Sequence, residues 1–126
     1  MSDGVKLFVA MGAGLAALAV VLGAFGAHAL KARLSSDMLE VYHTAVQYHF
    51  WHALGVLAVG LSLQHAPDTA WLRAAGWLLA GGIVLFCGSL YLLAFTGDKW
   101  LGAVTPFGGV AFILGWLALA VAALRA

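Results

Sequence analysis

The chain has 126 residues, 64% of them hydrophobic and only 9% charged, with a mean hydropathy of +1.02 and a formal net charge of +1. A soluble domain of this size needs more charge than that on its surface, and so even a balance leaves no electrostatic footprint for nucleic acid. The single cysteine, Cys87, excludes internal disulfides, a Cys-x-x-Cys redox pair and cysteine-rich zinc sites.

Crossing about 30 Å of hydrocarbon at 1.5 Å per residue takes roughly 20 apolar residues. The first stretch of that kind covers 7–30. Ala27-His28-Ala29 has the small-x-small form of a signal-peptide cleavage site. The apolar run before it is longer than the roughly 7 to 15 residues of a signal core, and the sequence opens on Met1, so a retained helix is expected. Gly12, Ala16, Ala19, Gly23 and Gly26 recur along it at steps of three and four. In lipid such small-residue faces let helix backbones approach closely.

Asp37 with Glu40 has the form of a capping box ahead of a second span, 41–63. Pro67-Asp68-Thr69 offers a turn and an N-cap before the third, 74–95, on which Ala74, Gly81 and Gly88 mark a heptad-spaced line. Gly97 fits a C-terminal cap. Thr105-Pro106 supplies an N-cap and a first-turn proline for the fourth span, 104–124, where Gly108, Ala111, Gly115, Ala118 and Ala122 form another small face. Tyr42, Trp71 and Trp100 fall near span ends, where aromatic rings favour the membrane interface. Apolar residues surround each span instead of forming one stripe, as expected when the solvent is lipid. The pattern predicts an all-α integral membrane protein, a four-helix transmembrane bundle forming one domain over 1–126. Its small faces are expected to meet inside the bundle, with some left for self-association. Lys6, Arg73 and Arg125 on one side balance Lys31, Arg33 and Lys99 on the other, so charge sets no orientation.

The polar side chains gather in one half of the membrane. The half next to the termini carries little beyond Ser62, whereas the other collects His28, His43, Thr44, Gln47, Tyr48, His49, His52, Ser89, Tyr91, Thr96 and Thr105, with Cys87 close to the same level. This profile predicts a polar vestibule opening toward the 31–37 and 98–99 loops. Within the second span Glu40, His43 and Gln47 share one face, and Tyr48, His52 and Gly55 lie roughly opposite. His49 and His52, roughly 12 to 16 Å from the helix start, are the sharpest candidates, because ionisable groups inside a membrane tend to mark function. They would ligate a metal, transfer protons or hold the head of an amphipathic ligand. The alternative is structural, with neutral imidazoles bonded to neighbouring helices. His28 and His43 lie near the interface, where wet headgroups suit them.

Specific chemistries fit less well. Haem needs two histidines at matching depth, and His28 is about 9 Å shallower than His49. A dinuclear metal site needs several carboxylates, and only Glu40 is near these histidines. Ser89 has no adjacent acid to orient a base, Thr105-Pro106-Phe107-Gly108-Gly109 has no lysine beside its glycines, and no deep charge is present for a cation pore.

Four motifs in order carry a resemblance: GAFGAHAL at 23–30, YHTAVQYHFWHAL at 42–54, FCGSLYLLAFTG at 86–97 and TPFGGVAFILGW at 105–116. The chain resembles the domain of unknown function 423 family, small membrane proteins called YgdD-like in bacteria, with mitochondrial transmembrane relatives. The resemblance covers nearly the whole chain. It implies four transmembrane helices in a bacterial inner membrane or an organellar one, with both termini cytoplasmic and the vestibule on the outer side. It carries over no activity, substrate or catalytic residue. The family pattern has serine where this chain has Cys87, so no serine-dependent role transfers to that position. Family motif residues coincide with the polar half at His28, Tyr48, His52, Ser89, Tyr91, Thr105 and Pro106.

The leading expectation is a non-enzymatic binding or accessory protein whose vestibule takes a lipid-like or quinone-like ligand. His52 and Tyr48 would meet its head, with His28, His49, Ser89, Tyr91 and Thr105 as neighbours. No catalytic residue, metal or cofactor is assigned. Membrane lipids and either a second copy or a larger membrane complex are the expected partners. A small transporter or channel, with an antiparallel dimer as one form of it, is the second reading, and a membrane enzyme the third.

Overall fold

Ser2 starts the first rod. In the computed structural model, which describes residues 1–66 and 69–125, its hydroxyl accepts from the Val5 N–H at 3.3 Å, and Asp3 places a carboxylate in the first turn, where the helix dipole favours it. Helix α1 (Asp3–Val21) runs through a π-helical turn (Leu22–Gly26) into the short α2 (Ala27–Leu30), so the chain is helical through His28. Next come α3 (Ser36–His65), α4 (Ala70–Gly82), a second π-helical turn (Ile83–Cys87), α5 (Gly88–Thr96), a 3-10 turn (Lys99–Ala103) and α6 (Thr105–Arg125). No strand occurs among the described residues.

Two of the expected caps hold. Thr69 accepts from the Leu72 N–H at 3.3 Å, and Gly97 ends α5 in the left-handed region at φ +73°, which glycine adopts without strain. Pro67 and Asp68 lie outside the described residues. The Asp37–Glu40 box does not form. Ser35, with extended backbone, caps α3 by accepting from the Met38 N–H at 3.2 Å, which leaves Asp37 inside the first turn. Thr105 does not cap α6 but is its first residue. Its hydroxyl is taken up by the Ser89 hydroxyl at 2.6 Å and, more weakly, by the Leu101 carbonyl at 3.4 Å.

Three rods are long and apolar enough to cross a membrane: Asp3–Leu30, Ala70–Thr96 and Lys99–Arg125. The fourth expected span falls in α3, which with 30 residues is long enough but is not among the three. The reason lies in its composition, which is less apolar than that of the other rods. α3 is the inner rod, packed against α1 on one side and against α4 and α5 on another, and it carries His43, Thr44, Gln47, Tyr48, His49 and His52. The outer rods present their apolar side chains outward: Val84 and Phe107 are each 70% exposed. Faces of that kind suit lipid and not water.

Close backbone approach holds the rods together. An ideal Cβ on Gly12 would stand 2.5 Å from the Leu57 nitrogen, and one on Gly60 would stand 2.7 Å from the Val9 nitrogen, so α1 and α3 touch along paired glycines. α6 meets the α4–α5 rod the same way: Gly115 faces Leu79, and Gly108 sits directly on the Phe86 backbone. The expected line Ala74, Gly81, Gly88 is not such a seam. A Cβ at Gly81 or Gly88 would meet nothing within 4 Å, and Gly76 and Gly82 make the tight contacts instead, against Phe8 and Phe112. Near the termini the core is apolar, built from Val5, Phe8, Val56, Val59, Leu63, Leu72 and Leu79. Tyr42, expected at the interface, is fully buried toward the opposite end.

Candidate functional site

The seven residues expected to form one vestibule lie in separate places. His52 and Tyr48 face α6. The His52 ring stacks on Phe112 at 3.5 Å between centroids, and Tyr48 packs on Phe86 at 4.6 Å. The His52 Nδ1–H donates to the Tyr48 carbonyl at 2.7 Å, because a carbonyl can only accept. That bond fixes the ring against its own helix.

His49 points elsewhere, into the junction of α1, α3 and α5. It is 2% exposed, and its Nδ1 lies 2.9 Å from the Tyr91 hydroxyl. The Leu15 backbone lies near the ring, yet Nε2 makes no well-formed hydrogen bond. Ser89 donates to the Phe86 carbonyl at 2.9 Å and pairs with Thr105, tying α5 to the start of α6. Ser89 and Tyr91 also wall an apolar hollow of about 520 Å³ beneath Trp100. Among the described residues no three His, Cys, Asp or Glu side chains come together as a metal would require.

His28 belongs to a different feature. A groove runs between the first rod and α3. Its inner part, about 350 Å³, is walled by Ala19, Gly23 and Ala24 on one side and Val46, Gln47, Phe50 and Trp51 on the other. Its outer part, about 360 Å³, is walled by Gly23, Ala24, His28, Lys31, Leu39 and His43. The two parts share Gly23 and Ala24, both in the π-helical turn, so an apolar trough lies directly beside a mouth of nitrogen donors. Each volume is at the lower end of the roughly 300 to 1,000 Å³ typical of small-molecule sites.

Local sequence explains the groove. Gly23 lets Val46 approach, since an ideal Cβ there would lie 3.0 Å from the Val46 Cγ1. The Tyr42 hydroxyl donates to the Leu22 carbonyl and fills the space beside Gly26, which pins the π-helical turn to α3. Lys31 and the trough residues Val46, Phe50 and Trp51 were not among the expected site residues. The signal available was the run His28, Lys31 with His43 beyond the turn, next to the small residues Gly23 and Ala24.

A comparison with known families bears directly on the motifs along this groove. The model of the family described as "Protein of unknown function (DUF423)" matches residues 22–109, which span the π-helical turn, α3 and the Ser89–Thr105 tie. The chain belongs to the DUF423 family. It is 49% identical over 120 residues to the UPF0382 membrane protein YwdK of Bacillus subtilis, covering 95% of this chain and 98% of the relative. It is 48% identical to a UPF0382 membrane protein of Staphylococcus epidermidis, over 95% of this chain and 97% of that one. A UPF0382 membrane protein of Staphylococcus saprophyticus is 48% identical over 92% of this chain and 95% of its own length. No solved structure matches. The three apolar rods and these relatives together make the DUF423 chain a membrane-embedded helical protein.

Proposed function

We propose that this DUF423 protein crosses the cell membrane four times, with both termini cytoplasmic, and is a non-enzymatic binding protein that holds one amphiphilic molecule in the groove between its first rod and α3. The observation that carries the reading is the junction at Gly23 and Ala24 of an apolar trough, walled by Phe50 and Trp51, with a mouth containing His28, Lys31 and His43. An amphiphile has the same two parts in the same order. His52 and Tyr48 act here as packing groups, since their rings are stacked on Phe112 and Phe86 and the His52 Nδ1–H is used within α3.

The test is native mass spectrometry of the protein extracted in its own lipid patches. The wild type is expected to carry a stoichiometric adduct of lipid or quinone mass. Ala24→Phe, which fills the trough from an exposed position, is expected to lose it, and His52→Phe to keep it. An adduct that survives Ala24→Phe and disappears in His52→Phe overturns the groove and returns the ligand to the α3–α6 side.

A further inference from the structure

The mouth of the groove has one sign of charge, and that decides which amphiphiles it suits. Lys31 brings an ammonium, and the imidazoles of His28 and His43 each bring at least one N–H donor in either charge state. Among the described residues no carboxylate lines it. The carboxylates of this end, Asp37 and Glu40, line a separate hollow with Thr44 and Leu90, on the α5 side of α3. The two hollows have different linings although Glu40 lies one turn before His43 on the same helix.

Resting on the amphiphile reading above, we infer that the groove is selective for an anionic phospholipid, with the phosphate at Lys31, His28 and His43 and an acyl chain lying along Gly23, Phe50 and Trp51. Charge complementarity points to that occupant. A phosphate diester offers acceptor oxygens and a negative charge to an ammonium and two N–H donors, which together supply what it needs. A zwitterionic choline lipid would bring a quaternary cation into a mouth without a carboxylate to receive it. A neutral quinone could use the N–H donors but would leave the ammonium without a counter-charge. Geometry agrees with a lipid and not with free phosphate: from His43 to Trp51 the groove follows α3 for eight residues, about 12 Å, and most of that length is apolar. The π-helical turn at Leu22–Gly26 is what brings the small residues Gly23 and Ala24 to the junction, so the irregular backbone stands where head and chain would meet.

The experiment offers delipidated full-length protein an equimolar mixture of phosphatidylglycerol and phosphatidylcholine with identical acyl chains, and reads the bound ratio by native mass spectrometry. Helicity by circular dichroism is checked for every variant. The wild type is expected to retain phosphatidylglycerol over phosphatidylcholine by about fivefold or more, the scale of one basic side chain acting on an anionic headgroup. Lys31→Gln is expected to bring the ratio close to one with total bound lipid retained, and Lys31→Arg to restore it. Ala24→Phe is expected to remove both lipids. A wild-type ratio of one, with Ala24→Phe still expelling lipid, overturns the charge selectivity and leaves the amphiphile groove standing. Equal binding of both lipids by Ala24→Phe and wild type overturns the groove itself. Should Lys31→Gln lose its helicity, the paired variant His28→Gln/His43→Gln gives the same reading: a fall in the ratio supports the inference and an unchanged ratio overturns it.

Discussion

The hydroxyl of Tyr42, fully buried on α3, donates to the carbonyl of Leu22 at the head of the π-helical turn of the first rod. Changing from i−4 to i−5 pairing disturbs the hydrogen-bond ladder there, and in a membrane a carbonyl left without a donor has no water to turn to. Tyr42 provides that donor from a neighbouring helix. Its ring is held in turn by Tyr91 and Phe95, with centroids at 5.6 and 6.0 Å. One side chain thus ties the π-helical turn, α3 and α5 together at the level where the groove begins.

Replacing only the hydroxyl tests that tie. Tyr42→Phe keeps the aromatic packing and removes the donor, so it is expected to destabilise the fold by about 1 kcal/mol, the scale of an interhelical hydrogen bond in a membrane protein. Gly26 adds a sharper version. A Cβ there would run into the Tyr42 hydroxyl, with the ring carbon behind it at 3.0 Å. Gly26→Ala is therefore expected to be more damaging in the wild type than in the Tyr42→Phe background. Unfolding in mixed micelles measures both, and strictly additive effects would show that the two residues do not share this contact.

Glycine positions on α1 separate packing from propensity. Gly12→Val drives a branched side chain into the Leu57 backbone, which cannot retreat, and is expected to cost more than about 2 kcal/mol or to abolish folding. At Gly14, two residues on, a Cβ would meet nothing within 4 Å, so Gly14→Ala is expected to be neutral or to stabilise by up to about 1 kcal/mol through helix propensity. Melting temperatures of the two variants in one detergent check the contrast; equal losses would mean that α1 does not pack on α3 along this face.

The length and composition of the apolar stretches made the all-helical, membrane-embedded character legible, and Thr69 and Gly97 were readable because a cap is a local event. Misread features depend on tertiary partners. Tyr42 looked interfacial because the helix was expected to begin at 41, whereas Ser35 caps it and α3 begins at Ser36, which places the ring more than a turn deep. Thr105 looked like a cap because nothing in the sequence announces that Ser89, sixteen residues earlier, takes its hydroxyl. The line Ala74, Gly81, Gly88 failed because it runs beside the buried face of α4, which passes through Ala75, Gly76, Leu79 and Gly82, and heptad spacing alone does not say which face meets a neighbour. Depth arithmetic grouped His28, His49 and His52 at one end of the molecule but could not show that they face three different neighbours.

The buried pair His49 and Tyr91 is the clearest polar tie between α3 and α5, at 2.9 Å. A double-mutant cycle with His49→Leu and Tyr91→Phe is expected to give a coupling of about 0.6 to 1.7 kcal/mol in favour of the pair. His49→Leu alone is expected to cost less than an ordinary deletion of a bonded core group, because it also removes an Nε2 that has no well-formed hydrogen bond. A coupling indistinguishable from zero would mean that the contact contributes nothing to holding the rods in place.

The fourth crossing can be decided by which ends of α3 share a compartment. A Cβ on Gly4 of the first rod would lie 3.8 Å from the Leu63 Cδ1 of α3, Ser62 and His65 wall one hollow with Leu72 of α4 and Ala122 of α6, and the Arg125 guanidinium lies 5.7 Å from the centroid of the Trp71 ring, so the C-terminal end of α3 is level with the start of α1, the start of α4 and the end of α6. The N-terminal end of α3 lies by the Lys31 mouth, a helix of 30 residues away, or about 45 Å. If α1 and the α4–α5 rod both cross the membrane, α3 between them must cross as well, since otherwise the chain could not begin α4 on the side where α1 began. In a Cys87→Ser background, single cysteines at Ser36 and Gln64, both exposed, are expected to react with a membrane-impermeant maleimide from opposite faces of sealed vesicles. A cysteine at Lys6 is expected to label with the one at Gln64. Labelling of positions 36 and 64 from the same face would leave α3 lying along one leaflet, and the apolar trough would then open to the membrane surface instead of to its interior.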